Sequence, residues 1–262
     1  MSEKISSPAM VEMCDASVGT LRDASFIVAE NVDWTVSAGE FWVVAGHPQS
    51  GKSSFLMTAA GLLFPAHGSC RLFGCETKSF GDSQLQERLR IGFGFAGGQL
   101  FNQLTVAENV ALPLRYQKNL SAEEAADDVE SLLELLELTP FADTTPVNLA
   151  ANWRQRAALA RALILKPELL LLDNPLAGLV TRHHPGLLQF LDSLARGHEW
   201  FGGRPMTLVV TADDLRPWRH GRKKFAVLHD KQFAEAGSWQ EISAAKNPAV
   251  KELLAEPAGS TM

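Results

Sequence analysis

A chain of 262 residues with 46% hydrophobic content can bury a substantial core, as one large or two small domains. Its formal net charge of −6 and the absence of a long Lys/Arg stripe argue against a nucleic-acid partner, because that kind of binding rests on neutralising phosphates. The opening Met1 to Pro8 lacks a charged-then-apolar leader and no later apolar run has bilayer-spanning length, while Cys14, Cys70 and Cys75 show neither metal-ligand spacing nor an even disulfide count and are expected to be reduced thiols.

No internal repeat interrupts the chain, so a single domain over 1–262 is expected. Residues 10–45 read as strands with turns: alternating Phe26, Val28 and then Val32, Trp34 and Val36 lead through Ala38-Gly39 into Phe41 to Ala45, a short buried strand. Gly46-His47-Pro48-Gln49-Ser50-Gly51-Lys52-Ser53 follows, a full G-x-x-x-x-G-K-[ST] phosphate loop, and Ser54 to Ala60 read as the start of a helix. Strand, loop and helix in that order let consecutive backbone N–H groups and a helix N-terminus face an anion. Gly46, Gln49, Ser50, Gly51, Lys52, Ser53 and Ser54 are the candidate ATP contacts, with Lys52 on the β/γ charge and the Ser53 hydroxyl on Mg²⁺. His47 is expected to be one of the loop's unconstrained positions.

Residues 68–80, bracketed by Gly68 and Gly74, look like a further strand pair belonging to an antiparallel portion. A helix-rich stretch follows, a helical subdomain over about 100–165. Ser121 caps one helix there with Glu124 reaching back, and Val129, Leu132, Leu133, Leu135 and Leu136 form its apolar face. Leu169 to Leu172 read as a buried parallel strand that delivers Asp173 at its C-terminal end, a candidate holder of the Mg²⁺ shell. Thr207 to Thr211 and Phe225 to Leu228 are two more such strands, and a C-terminal tail spans about 240–262. The fold class is therefore α/β: a mainly parallel sheet core with an antiparallel β portion and a helical subdomain.

With Asp173 followed by Asn174-Pro175 and preceded by the Arg154 to Leu163 helix, the chain resembles an ABC transporter nucleotide-binding subunit over nearly its whole length. Leu104 to Val110 is similar to the segment after that family's Q-loop, and Leu149 to Trp153 stands in place of its LSGGQ signature. Asn109 to Arg115 and Asn247 to Leu254 look most like ATPases of MCE-type (Mla-like) lipid transporters. The resemblance implies a P-loop NTPase fold of ABC type, ATP with Mg²⁺, and a membrane permease as partner. It also implies a homodimer or a heterodimer with another ABC ATPase, and a cytoplasmic, peripheral place on the inner face of the cell membrane. Phe26 is the candidate adenine-stacking aromatic.

Carried over position by position, the resemblance exposes departures. The Q-loop glutamine falls on Ala96, with Gln99 nearby. Ala150, Ala151 and Asn152 replace the signature serine and glycines, with Asn152 expected to cap the following helix. The catalytic glutamate falls on Asn174, Val180 stands where an aspartate is usual, and the switch histidine falls on Ala212. An amide cannot accept a proton from water, so general-base assistance worth about 10²–10⁴-fold is expected to be lost at Asn174. The expectation is a subunit that binds Mg-ATP with little or no hydrolysis. Two readings compete with it: an active transport ATPase using groups such as Gln99 or Asp213, and a regulatory pseudo-ATPase outside transport.

Overall fold

A computed structural model describes residues 9–79 and 85–255. The ends of two expected segments, residue 80 of the strand pair and 256–262 of the tail, lie outside those residues. The chain divides into two compact units, one made of 1–81 with 207–262 and the other of 82–206. The second unit holds the expected helical stretch together with strands and helices on either side of it.

In the first unit, β1 (Ala9–Gly19), β2 (Ile27–Ser37), β4 (His67–Leu72) and β5 (Cys75–Glu76) pair antiparallel. β3 (Phe41–Ala45) lies parallel between β8 (Thr207–Ala212) and β9 (Lys224–His229). β10 (Gln232–Gly237) pairs antiparallel with β9 and parallel with β2, joining the two portions. Every residue of β3 and β8 is buried, as continuous apolar runs in a parallel core require.

The alternation expected from Phe26 onward holds only in part. Val28, Val32, Trp34 and Val36 are buried, but Phe26 precedes the strand and is exposed. Between Val28 and Val32 the alternation breaks at Asn31, whose φ of 50° accompanies a register shift against β1. The helix after the phosphate loop, α1 (Lys52–Ala59), begins two residues earlier than the sequence suggested. It packs beneath Trp34, whose ring centroid lies 5.6 Å from Trp42, 5.3 Å from Phe55 and 5.5 Å from Phe233.

The β9–β10 hairpin was not expected. Its two-residue turn, Asp230-Lys231, has both φ values positive, the geometry that matches strand twist, but it lacks the glycine that marks such a turn along a sequence. β10 itself is largely exposed, so hydrophobic pattern did not mark it. The unit closes with α7 (Trp239–Ser243) and α8 (Pro248–Leu254).

In the second unit, α2 (Leu85–Leu89) precedes β6 (Ile91–Gly94), which pairs parallel with β7 (Leu169–Leu172). α3 (Val106–Gln117), α4 (Ala122–Leu135) and α5 (Ala151–Leu163) supply the helical part, and α6 (His184–Arg196) follows β7. The Ser121–Glu124 capping box forms as expected, and a second one, Thr105 with Glu108, opens α3. Val129, Leu132, Leu133 and Leu136 are buried, with Leu135 at the edge of that stripe.

Candidate phosphate-binding site

The phosphate loop leaves β3 at a point tied to the neighbouring strand, where Gly46 N donates to Ala212 O at 3.1 Å. A side chain at Gly46 has no room: a Cβ there would lie 2.5 Å from Leu228 O and 2.6 Å from Ser50 Oγ. Gly51 is required twice over. Its φ is +93°, and a Cβ would lie 2.4 Å from the Val28 side chain. That contact also brings β2 against the loop, two residues after Phe26.

α1 starts at Gly51 without a side-chain cap, and its first-turn hydrogen bond is Phe55 N to Gly51 O at 2.9 Å. The first-turn N–H groups therefore open on the loop, a polarity that favours an anion. Gln49, with φ +68°, and Ser53 are exposed, whereas Lys52 and Ser54 are buried.

Lys52 has an arrangement that sequence did not reveal. Its ammonium curls back over its own loop, donating to Gly46 O and His47 O at 2.6 Å each, and lies 2.9 Å from Asp213 Oδ1. Asp213 directly follows β8, so the strand end aims a carboxylate at the loop lysine. His47 also has company: its Nε2 lies 3.0 Å from Glu252 Oε2 on α8, and its ring stands edge-on to His229 with centroids 6.0 Å apart. These contacts place the His47 ring beside the C-terminal helix, although its Nε2 makes no hydrogen bond there.

The second unit holds Ala96, Gln99, the Leu149 to Trp153 run, Asp173, Asn174 and Val180, whereas Ala212 ends β8 in the first. Asp173 N donates to Gly94 O at 2.8 Å, which seats the carboxylate at the C-terminal end of β7, where it is 6% exposed. Ser53 and Asp173 offer hard oxygen donors of the kind Mg²⁺ takes. Asn174 adopts φ 45°, a region asparagine tolerates better than most residues, and its carbonyl accepts from Ala177 N.

Ala96 follows β6 in a loop that turns through Gly97 and Gly98. Buried Asn109 on α3 pins the segment beyond. Its amide donates to Phe101 O, Leu104 O and Thr105 O, and its Oδ1 accepts from Phe101 N at 2.8 Å. Gln99 contributes its carbonyl to Arg161 at 3.0 Å.

The signature-like run ends differently from the expectation. Ala150, not Asn152, is the N-cap of α5, and no side chain caps it. Asn152 lies at the second helical position, so its side chain is past the point where a cap forms. Trp153 packs on Phe141 at 4.7 Å, with the Arg156 guanidinium 5.0 Å over its ring.

The family description "ABC transporter" matches residues 29–177. Over 222 residues the chain is 34% identical to a probable sulfate/thiosulfate import ATP-binding protein CysA of Chlorella vulgaris, covering 85% of this chain and 89% of that one. It is 30% identical over 240 residues to the methionine import ATP-binding protein MetN of Lacticaseibacillus paracasei, covering 88% of this chain and 66% of that protein. Against several other curated relatives it spans about three fifths of their length. A dimeric ATP-binding cassette in a post-hydrolysis state bound to ADP and Pi superposes with a TM-score of 0.75 and 29% identity, over 87% of this chain and 98% of that one. Matched in this way over more than half its length, the chain belongs to the ABC transporter family and has its cassette-type P-loop NTPase fold.

Proposed function

We propose that this chain is the ATP-binding subunit of a membrane transporter, that it holds Mg-ATP, and that it hydrolyses it slowly or not at all. The observation that carries this reading is a contrast within one chain. The cradle from Gly46 to Ser54 is complete, with Lys52 buried and the α1 N-terminus open. Ala96, Ala150, Asn174 and Ala212 stand where the family uses a glutamine, a serine, a glutamate and a histidine.

In this reading Lys52 and the first-turn N–H groups bind and orient the phosphates, Ser53 and Asp173 hold Mg²⁺, and Phe26 covers the adenine. Val28 seated against Gly51 supports that place for Phe26. Asn174 keeps water in position without taking its proton. Binding would favour a closed dimer only by the difference in ATP affinity between closed and open states. A permease and a second ATP-binding chain, identical or different, are the partners, and the place of work is the inner face of the membrane. Among the described residues no helix is long and apolar enough to cross a bilayer.

Cargo is where two resemblances diverge. Asn109 to Arg115 and Asn247 to Leu254 resemble lipid-transporter ATPases. The relatives matched over most of the chain are named for import of methionine, sulfate/thiosulfate and spermidine/putrescine. The longer resemblance carries more weight, and import of a small solute is the working proposal, with lipid as its competitor.

The purified chain should bind a non-hydrolysable ATP analogue and release phosphate at a rate barely above buffer, with or without a co-expressed permease. Brisk ATPase activity of the homodimer that Lys52→Ala abolishes would overturn the proposal in favour of an active ATPase.

A further inference from the structure

His47-Pro48-Gln49-Ser50 in the phosphate loop is a tight turn, closed by Ser50 N donating to His47 O at 3.1 Å. Pro48 fixes its own φ at about −65°, and Gln49 follows with φ 68°. Proline and then a left-handed residue make a type II turn, whose third position favours glycine because a Cβ is strained there. This loop places a long polar side chain at that position.

No protein group explains the choice. Gln49 is exposed, and among the described residues its side-chain amide has no hydrogen-bond partner. The turn's other polar side chains have company: His47 Nε2 lies 3.0 Å from Glu252 Oε2, and Ser50 Oγ lies 3.4 Å from the Lys52 ammonium. Strained residues without a structural partner gather at ligand sites, where the strain serves binding.

The turn also belongs to the segment that holds the loop lysine. Lys52, assigned to the β/γ charge, donates to His47 O at 2.6 Å, and that carbonyl is the one that closes the turn. Ala96, Ala150 and Ala212 supply no side-chain donor to the terminal phosphate. A glutamine amide has two N–H donors and cannot take a proton from water, so it can hold a phosphate oxygen without promoting hydrolysis.

We infer that Gln49 is a specificity-determining residue: its side-chain amide donates to the terminal phosphate and makes the site prefer ATP over ADP. This rests on the proposed binding of Mg-ATP and adds the group that distinguishes three phosphates from two. Hydrogen bonds to a charged group are the stronger kind, so one such contact is enough to set a preference.

The test titrates the full chain calorimetrically, with Mg²⁺ present, with a non-hydrolysable ATP analogue and with ADP. Gln49→Gly should lower the preference for the triphosphate at least about fivefold while leaving ADP affinity within about twofold. The same variant should melt no lower than the parent, because relief of the positive φ offsets glycine's greater freedom when unfolded. Gln49→Glu, of equal length but acidic, should lower the preference further by repelling the terminal phosphate. A preference unchanged in Gln49→Gly would overturn the inference, and so would equal weakening toward both nucleotides, which marks a role in loop shape alone. Brisk ATP hydrolysis by the parent would overturn the proposed function and leave this inference standing, whereas a parent that binds neither nucleotide would overturn both.

Discussion

Before a phosphate chain can take the Lys52 ammonium, Asp213 has to give it up. At 2.9 Å and an effective dielectric near 20, the gross attraction is about 6 kcal/mol. Most of that is offset by solvation, because the Asp213 side chain is 39% exposed although Lys52 is only 6% exposed. A hydrogen bond to a charged group is worth about 1.5–3 kcal/mol net, and discounting for the exposed partner leaves about 1–2 kcal/mol. Asp213→Asn removes that competitor from the ligand-free state and a negative charge from the neighbourhood of the phosphates. The expected result is an ATP analogue bound about 5–30-fold more tightly. The ligand-free protein should melt lower and the bound protein should regain the difference. Titration of a fluorescent, non-hydrolysable analogue measures the affinity. Asp214→Asn is the control, since Asp214 pairs with Arg216 instead, and it should leave the affinity unchanged. Unchanged or weaker binding by Asp213→Asn would refute the reasoning.

Asn174→Glu returns a carboxylate to the position after Asp173 and should raise phosphate release at least about tenfold, short of the full 10²–10⁴ because Ala96, Ala150 and Ala212 remain; a rate equal to the parent's would count against the proposed role of Asn174. Gly51→Ala should abolish analogue binding and destabilise the fold by about 1–3 kcal/mol, and Val28→Ala added to it should recover little of the stability, because alanine keeps the Val28 Cβ that lies 2.4 Å from the added Cβ and the positive φ remains. Asn109→Ala removes the four hydrogen bonds that hold 101–105, so hydrogen exchange there should accelerate while β3 and β8 stay protected. Cys70 is buried, and burial pushes its thiol up to about 12, so a thiol reagent at pH 8 should label Cys14 and Cys75 in the native protein and reach Cys70 only on unfolding.

The strand, loop and helix of the phosphate-loop motif were legible along the chain because they are local. The phosphate loop, the strand before it and the helix after it are consecutive, and each announces itself through glycine, lysine and apolar runs whose geometry depends on near neighbours. The Ser121–Glu124 box was legible for the same reason, since a cap is satisfied within one turn. Asn152 misled because an asparagine near a helix start signals a cap, yet Leu149 stays extended and the helix begins two residues earlier than that role allows.

Other features exist only because distant segments meet. The Lys52–Asp213 pair, the contact of His47 with Glu252, and the placing of Val28 against Gly51 all join residues far apart in sequence. The β8–β9 connection reads along the chain as a basic turn, and it becomes a cleft only when β3 and α7 bring Glu40 and Trp239 beside it. The sequence by itself determined where the phosphate-loop motif lies and which residue types flank it, because those depend on residue identity in a local run. Only the tertiary structure decided what the loop lysine pairs with, because Coulomb attraction and burial depend on distances that chain order does not contain.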